Sequence, residues 1–324
     1  MTSEIHEQVT KYLTDAHSIE EQALAQLRTA PKIAGDPELA HAYRDHLDQT
    51  QGHERSVREL LEARGAKPSL AKDTIMKVGG MGFLLFARLQ PDTPGKLHAH
   101  ALSYEALELS SYQLLAGVAE RAGEPAVVEA AERIGADERQ MLDRLEAGFD
   151  RAVDASLRKV EPDDLHEQLR KYLADAHAIE KQAEALLERG PKLAGSPTLA
   201  NIYAEHLDET REHVEVIEAR LDALGGDPSR PKDAAMRLGA LNWGAFFQGH
   251  PDTPGKLAAF ARAFEHLEIG GYEQLRRVAE RADDQETAQT VELILAQERE
   301  ASQRIAAAFS EAVEASLEAQ EVRR

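Results

Sequence analysis

The sequence predicts an all-α protein made of two tandem bundles of four long helices. The first observation is self-similarity at a constant offset, since "PDTPGKL" at 91–97 returns unchanged at 251–257 of the 324 residues. The second is that apolar residues recur at helical spacing and no segment alternates as a strand would. One offset held across a whole domain indicates a tandem duplication. A charged run near 158–165 marks the boundary, which gives copies at 1–160 and 161–324.

Each copy is predicted to contain four long helices. In the first copy, Asp36 before a proline is the expected N-cap of a second helix over roughly 37–63. The third helix is expected to begin at "DTPGKL", with Thr or Asp as its cap and proline in its first turn, and to end near Gly123. The fourth begins at Pro125, and its apolar stripe continues through Val153.

The connection between the second and third helices is the feature that selects a topology. Residues 69–90 contain glycines and apolar residues, which predicts a long crossover with a short helix. Four long helices with one crossover form the ferritin-like topology, whereas an up-down bundle lacks the crossover. The apolar stretches at 77–90 and 237–250 are expected to cover the end of each bundle. A docking surface for the other bundle, a membrane or a cargo shell is the alternative.

Composition excludes several classes of function. The formal net charge of −20 argues against nucleic acid or an anionic membrane as a partner, because both require a basic surface. Without cysteine the chain has no disulfide, no thiolate zinc site and no thiol nucleophile. The N-terminus shows no signal-peptide pattern, and the apolar cluster at 81–87 is too short to span a bilayer. We therefore expect a cytoplasmic protein.

Polar residues interrupt the inward apolar face of every predicted long helix. In the first copy they are Glu20, His46, Gln49, Thr50, His53, Glu105, Glu108 and Glu138. The second copy repeats them as Glu180, His206, Glu209, Thr210, His213, Glu265, Glu268 and Glu298. A lone ionised carboxylate inside a bundle costs several kcal/mol, and a metal pair held by all four helices would offset that cost. Oxygen and imidazole ligands suit iron or manganese.

A polar network without metal is the alternative explanation of these residues. Glu20 could pair with His17 or His53, Glu138 could pair with an arginine, and His46 and His53 could be ordinary core histidines. The residue pattern leaves both readings open.

Four motifs in the right order carry a resemblance to a known family. "DAHSIEEQ", "PELAHAYRDHLDQTQGH", "YEALELSSY" and "ADERQ", with "HLDETREH" and "FEHLEIGGY" in the second copy, resemble the YciE/YciF family of ferritin-like stress proteins. The resemblance covers about 150 residues of each copy. It implies a bundle related to rubrerythrin and bacterioferritin with a dinuclear iron site.

The inward pattern and this resemblance together name the expected metal ligands: Glu20, His53, Glu105, Glu108, Glu138, Glu180, Glu209, His213, Glu265, Glu268 and Glu298. The E-x-x-H motif of ferritin-like sites is incomplete, because Thr50 and Thr210 stand three residues before the second-helix histidines. Gln49 and Ala106 of the first copy correspond to Glu209 and His266 of the second. We therefore expect the second copy to be the more competent metal binder.

The expected function is that of a metal-binding stress protein that oxidises Fe(II) with oxygen or peroxide. Its partners would be metal ions and the oxidant. A metal-free helical scaffold is the alternative, and a substrate hydroxylase is a third, weaker hypothesis. We further expect the two copies to pair as an intramolecular pseudo-dimer in a monomer or small homo-oligomer.

Overall fold

The computed structural model describes residues 4–69, 92–229 and 252–322. Within these ranges the chain is helical and contains no strand, so the all-α prediction is confirmed. The chain divides after Leu157 into two compact units, the second of which spans Arg158–Gln320. The prediction of two tandem domains is therefore also confirmed.

The helices of the first unit are, in chain order, α1 (Glu4–Leu27), α2 (Ala30–Ile33), α3 (Pro37–Ala63), α4 (Thr93–Ala122), α5 (Pro125–Glu146) and α6 (Phe149–Leu157). After a 3₁₀ turn at Pro162–Asp164, the helices of the second unit are α7 (Leu165–Leu187), α8 (Gly190–Leu193), α9 (Pro197–Ala223), α10 (Thr253–Arg281), α11 (Gln285–Ala307) and α12 (Phe309–Ala319).

The four long helices of each unit pack around one core. In the first unit α1 contacts α3 and α4, α4 contacts α5, and α5 contacts α3, so each long helix has two long neighbours. In the second unit α7, α9, α10 and α11 make the same set of contacts. Four inward faces therefore meet in the middle of each unit.

Local chemistry explains where the helices begin and end. The Asp36 side chain accepts hydrogen bonds from the backbone N–H groups of Glu38 and Leu39 at 2.9 and 3.1 Å, which confirms the predicted cap of α3. Ser196 caps α9 through a 3.3 Å bond from Leu199 N. α4 ends at Gly123, whose φ of 69° is a conformation that glycine adopts at little cost.

The predicted cap of the third helix is confirmed in position, since Asp92 is the N-cap residue. Proline stands in the first turn of α4 as expected, but Asp92 makes no capping hydrogen bond. The backbone N–H of Gly95 instead donates to Ser156 Oγ on α6, at 2.8 Å. In the second unit the backbone N–H of Gly255 donates to Ser316 Oγ at 2.7 Å. A residue from a distant segment therefore closes this helix end.

The predicted fourth helix is interrupted. α5 ends at Glu146 and α6 begins at Phe149, because the chain tightens to i+3 bonding, with Gly148 N donating to Leu145 O at 2.9 Å. The second unit has the same interruption, with Ala308 N donating to Ile305 O at 3.0 Å.

The predicted crossovers and their apolar stretches at 77–90 and 237–250 lie outside the described residues. Among the helices that the structure describes, none combines the length and the apolar character needed to cross a membrane.

Candidate metal centre

Six buried polar side chains meet at the centre of the first unit, contributed by all four long helices. They are Glu20 of α1, His46 and His53 of α3, Glu105 and Glu108 of α4, and Glu138 of α5. None is more than 5% exposed. The inward placement that the sequence predicts for these carboxylates is therefore what the fold produces.

The six residues form two overlapping groups that we call position A and position B. Position A consists of Glu20, His53 and Glu138, and position B of His46, Glu105, Glu108 and Glu138. Within each group one nitrogen or oxygen atom from every residue lies within 4.8 Å of the others. Glu138 belongs to both.

The two oxygens of Glu138 face different histidines. Its Oε1 lies 2.9 Å from His53 Nδ1, and its Oε2 lies 3.4 Å from His46 Nε2. His53 Nδ1 is also 3.9 Å from Glu20 Oε1, and His46 Nε2 is 3.0 Å from Glu105 Oε2. One carboxylate thus lies between two separate sets of ligand atoms.

The second unit repeats this geometry. Position A there is Glu180, His213 and Glu298, and position B is His206, Glu265, Glu268 and Glu298. Glu298 Oε1 lies 2.9 Å from His213 Nδ1, and its Oε2 lies 3.5 Å from His206 Nε2. The same nitrogen of each histidine faces the group in both units.

Many of these buried atoms have no hydrogen-bond partner among the described residues. In the first unit, Glu20 Oε2 and both oxygens of Glu108 have no partner, while His46 Nε2, His53 Nδ1, Glu105 Oε2 and both oxygens of Glu138 have only the histidine–carboxylate ion pairs described above. The equivalent atoms of the second unit are in the same state. Unsatisfied buried acceptors are costly, and each group consists of oxygen and nitrogen atoms that could hold a metal ion.

The surroundings shift the pKa values of the first-unit group upward. Burial raises the pKa of Glu20 to about 8, with the charge of Glu138 adding to the rise, and burial raises the pKa of Glu138 to about 7. Burial acts to lower the pKa values of the histidines, but the neighbouring carboxylates outweigh it and raise His46 to about 10 and His53 to about 9. The metal-free group therefore holds protons at neutral pH.

The second unit shows the same directions. Burial raises the pKa values of Glu180 and Glu298, and raises that of Glu268 well above its ordinary range with help from Glu298. The carboxylates overcome the effect of burial on the histidines, so that the pKa of His213 rises to about 10 and that of His206 rises strongly.

A tyrosine hydroxyl holds the α1 carboxylate in place in each unit. Tyr112 donates a hydrogen bond to Glu20 Oε1, and Tyr272 donates one to Glu180 Oε1. The other oxygen of each glutamate is left for the group, so these tyrosines orient the carboxylate of position A.

One residue predicted as a ligand lies outside both positions. Glu209 is half-buried, and its carboxylate bonds His206 Nδ1 and Arg304, on the side of the histidine away from the group. Gln49 contacts His46 Nδ1 in the same way at 3.3 Å. His266 bonds the Arg262 carbonyl oxygen at 2.8 Å. The two differences on which the prediction of a more competent second copy rests, Glu209 for Gln49 and His266 for Ala106, therefore lie outside the buried group.

His46 and His206 are the members of the group that the ligand prediction omitted. The signal was present, because His46 and His53 are seven residues apart and so share one face of α3. At the E-x-x-H spacing before His53 stands Thr50, whose hydroxyl donates a hydrogen bond to the His46 carbonyl oxygen at 2.8 Å.

A further group of possible ligands occurs on α1 and α3 of the first unit. His17 is buried, bonds Glu54 at 3.1 Å and has Glu21 nearby. In the second unit Lys181 and Val214 occupy the positions of Glu21 and Glu54, while His177 keeps a carboxylate partner in Glu218 at 2.9 Å. The constant feature is a histidine–glutamate pair.

An apolar pocket of about 30 Å³ in the second unit reaches Glu265 of position B. Phe260 and Phe264 line it, and its volume is enough for about two water molecules or one diatomic gas. In the first unit His100 and Tyr104 occupy those aromatic positions, and the Tyr104 hydroxyl donates to the Ile19 carbonyl oxygen at 3.0 Å.

The comparisons with known proteins agree with the internal duplication. The sequence profile of a family described as "Domain of unknown function (DUF892)" matches residues 4–158 and, a second time, residues 164–318. No solved structure matches the chain.

Proposed function

The chain belongs to the DUF892 family, and we propose that each of its two units is a ferritin-like bundle that binds a pair of metal ions. The ring of four long helices and the connection of α3 to α4 through residues 70–91 support the ferritin-like topology. The YciE/YciF family is the finer affiliation that we propose on the motifs of both copies.

The observation that carries the proposal is the set of unpartnered buried ligand atoms. Carboxylate oxygens and imidazole nitrogens from all four helices converge, and the histidine–carboxylate pairs within the group leave Glu20 Oε2, Glu180 Oε2 and both oxygens of Glu108 and Glu268 without a partner, at equivalent atoms in both units. Buried ion pairs are often replaced by apolar residues without loss of stability. Keeping the whole group twice is better explained by a bound cation than by a structural network.

Two ions per unit follow from the arrangement of the shared glutamate. Each oxygen of Glu138 faces its own histidine, as does each oxygen of Glu298, so each carboxylate can serve both positions. Carboxylate-rich sites with imidazole suit iron or manganese, and iron is our proposal. When bound, such a pair supplies redox chemistry and an open coordination position.

We propose Fe(II) oxidation by oxygen or peroxide as the reaction, in a cytoplasmic stress response. The small apolar pocket beside Glu265 has room for one diatomic molecule, which supports a small oxidant. The carboxylates would hold the ions, and Tyr112 and Tyr272 would orient Glu20 and Glu180.

A metal-free scaffold is the second candidate, and one observation favours it. His46 lies 3.0 Å from Glu105 and His53 lies 2.9 Å from Glu138, so histidine–carboxylate pairing neutralises part of the charge without a cation. In that case the group would serve only to specify the packing of the helices.

Metal analysis of two matched double variants separates the candidates. Protein loaded anaerobically with Fe(II) and desalted should hold about two ions per unit, and Glu138→Gln/Glu298→Gln should lose them while remaining helical. The control Glu132→Gln/Glu292→Gln removes exposed glutamates at equivalent points of the same helices and should keep the metal. Absence of metal in the loaded parent, or full retention in Glu138→Gln/Glu298→Gln, would favour the scaffold.

A further inference from the structure

Each histidine of the group uses one ring nitrogen toward the group and the other toward an outer partner, by which we mean the residue bonded to the nitrogen that faces away. In the first unit, the outer partner of His46 is Gln49, at 3.3 Å from Nδ1. The outer partner of His53 is Asp137, at 3.0 Å from Nε2. Position B therefore has an amide behind its histidine, and position A has a carboxylate.

The second unit has the opposite arrangement. The outer partner of His206 is Glu209, whose Oε2 lies 3.0 Å from Nδ1. The outer partner of His213 is Gln297, whose Oε1 lies 3.0 Å from Nε2. Each unit thus keeps one carboxylate and one amide, but the two exchange places between positions A and B.

The exchange matters because an outer partner changes how well a histidine binds metal. A carboxylate that accepts the outward N–H fixes the tautomer and makes the other nitrogen more basic, and loss of such a partner typically costs about 10–100-fold in metal affinity. An amide oxygen accepts the same hydrogen bond without the negative charge. The position backed by a carboxylate should hence be the tighter one.

We propose that the two positions of each unit bind metal unequally and that the order is reversed between the units. In the first unit the first ion enters position A, with Glu20, His53 and Glu138. In the second unit it enters position B, with His206 and its carboxylates. The inference rests on the proposed function, since it assigns an order of filling to the same sites.

The surroundings of the outer carboxylates set the size of the effect. The side chain of Asp137 is 39% exposed, so solvent weakens its influence on His53. Glu209 is 27% exposed and also bonds Arg304 at 2.8 Å, which shares its charge. We therefore expect a difference near the lower end of the general range, about tenfold between positions A and B.

Crystals of the full chain grown with one equivalent of Co(II) per unit test the order directly, because anomalous scattering locates the ion. The expected result is Co(II) at position A of the first unit and at position B of the second. Co(II) at the same position in both units, or shared equally between A and B, would overturn this inference and leave the proposed function standing. Empty positions at saturating Co(II) would overturn both.

An exchange of outer partners provides the causal test. The variant Gln49→Glu/Asp137→Asn gives the first unit the arrangement of the second and should move the ion from position A to position B at unchanged thermal stability. The control Asp45→Asn removes one surface carboxylate, which pairs with Arg144 rather than with the group, and should leave the ion at position A. An ion that stays at position A in Gln49→Glu/Asp137→Asn would show that the outer partners do not set the order.

Discussion

The two units have the same buried group in different surroundings. All six positions of the group carry the same residue type in both copies, although the neighbouring positions have diverged. Gln49 corresponds to Glu209, Asp137 corresponds to Gln297, and Lys181 and Val214 of the second unit stand where the first has Glu21 and Glu54. The comparison shows that the members of the buried group are the same in both copies, while the residues one contact away have exchanged places.

The most direct way to break this comparison is to remove the shared carboxylate from one unit at a time. Glu138→Gln should abolish metal binding in the first unit and leave the second unit loaded, and Glu298→Gln should do the reverse. Because each unit has its own complete group, the metal content should fall by half in either variant. Inductively coupled plasma mass spectrometry measures this. Loss of all metal from a single variant would contradict independent sites.

The pH dependence of metal binding should be steep in both units. The pKa values of Glu20 and Glu138 are raised to about 8 and about 7, and that of His53 to about 9, so metal must displace protons at neutral pH. Affinity should accordingly increase from pH 6 to pH 8, by about tenfold per pH unit for each proton displaced. Isothermal titration calorimetry in buffers of different ionisation enthalpy counts those protons, and no proton release would contradict the prediction.

The same pKa shifts predict how the metal-free protein responds to pH. A carboxyl with a raised pKa stabilises the folded state while it is protonated. For Glu20 this contribution is lost as pH rises from its ordinary pKa of 4.5 to about 8. A histidine with a raised pKa contributes stability below about 6.5 and loses it as pH passes about 9 for His53. The carboxyls and the histidines therefore act in the same direction, and the free energy of unfolding of the metal-free protein should decrease as pH rises from about 5 to about 10. Denaturant unfolding of the parent and of Glu138→Gln/Glu298→Gln at several pH values compares how steeply the free energy of unfolding falls with pH.

A smaller effect on stability should come from Glu108 and Glu268. Both oxygens of each are unpartnered, and among the described residues no histidine forms an ion pair with either. Replacing Glu108 with methionine removes a buried, unsatisfied group and should stabilise the metal-free first unit by about 1–3 kcal/mol. The matched change Glu268→Met should do the same in the second unit. Both should weaken metal binding at position B. Destabilisation of the metal-free chain would mean that these side chains have structural partners.

The smallest expected difference concerns the helix caps. Asp36 accepts two backbone hydrogen bonds at the start of α3, whereas Ser196 accepts one at the start of α9. Asp36→Ala and Ser196→Ala should each cost about 0.5–2 kcal/mol, with the larger loss at Asp36. Urea unfolding of the two variants measures the difference. A larger loss for Ser196→Ala would contradict the count of hydrogen bonds.

Part of the site could be predicted because it depends on local periodicity. The positions of Glu20, Glu105 and Glu138 on inward faces follow from helical spacing, and the duplication makes the same pattern visible twice. The choice between His206 and Glu209 could not be made this way. Both residues lie near the inward face of the second long helix of their unit, and only packing against the fourth helix decides that His206 faces Glu298.

The sequence by itself determined the helices, their duplication and the presence of buried carboxylates, since these depend on residues within a few turns of one another. The tertiary structure decided which atoms meet. The division of Glu138 between two histidines, and the contact of Asp137 with His53, join residues of the second and fourth long helices, 84 or more positions apart. Their distances depend on the rotation and placement of whole helices, which the packing of the core sets.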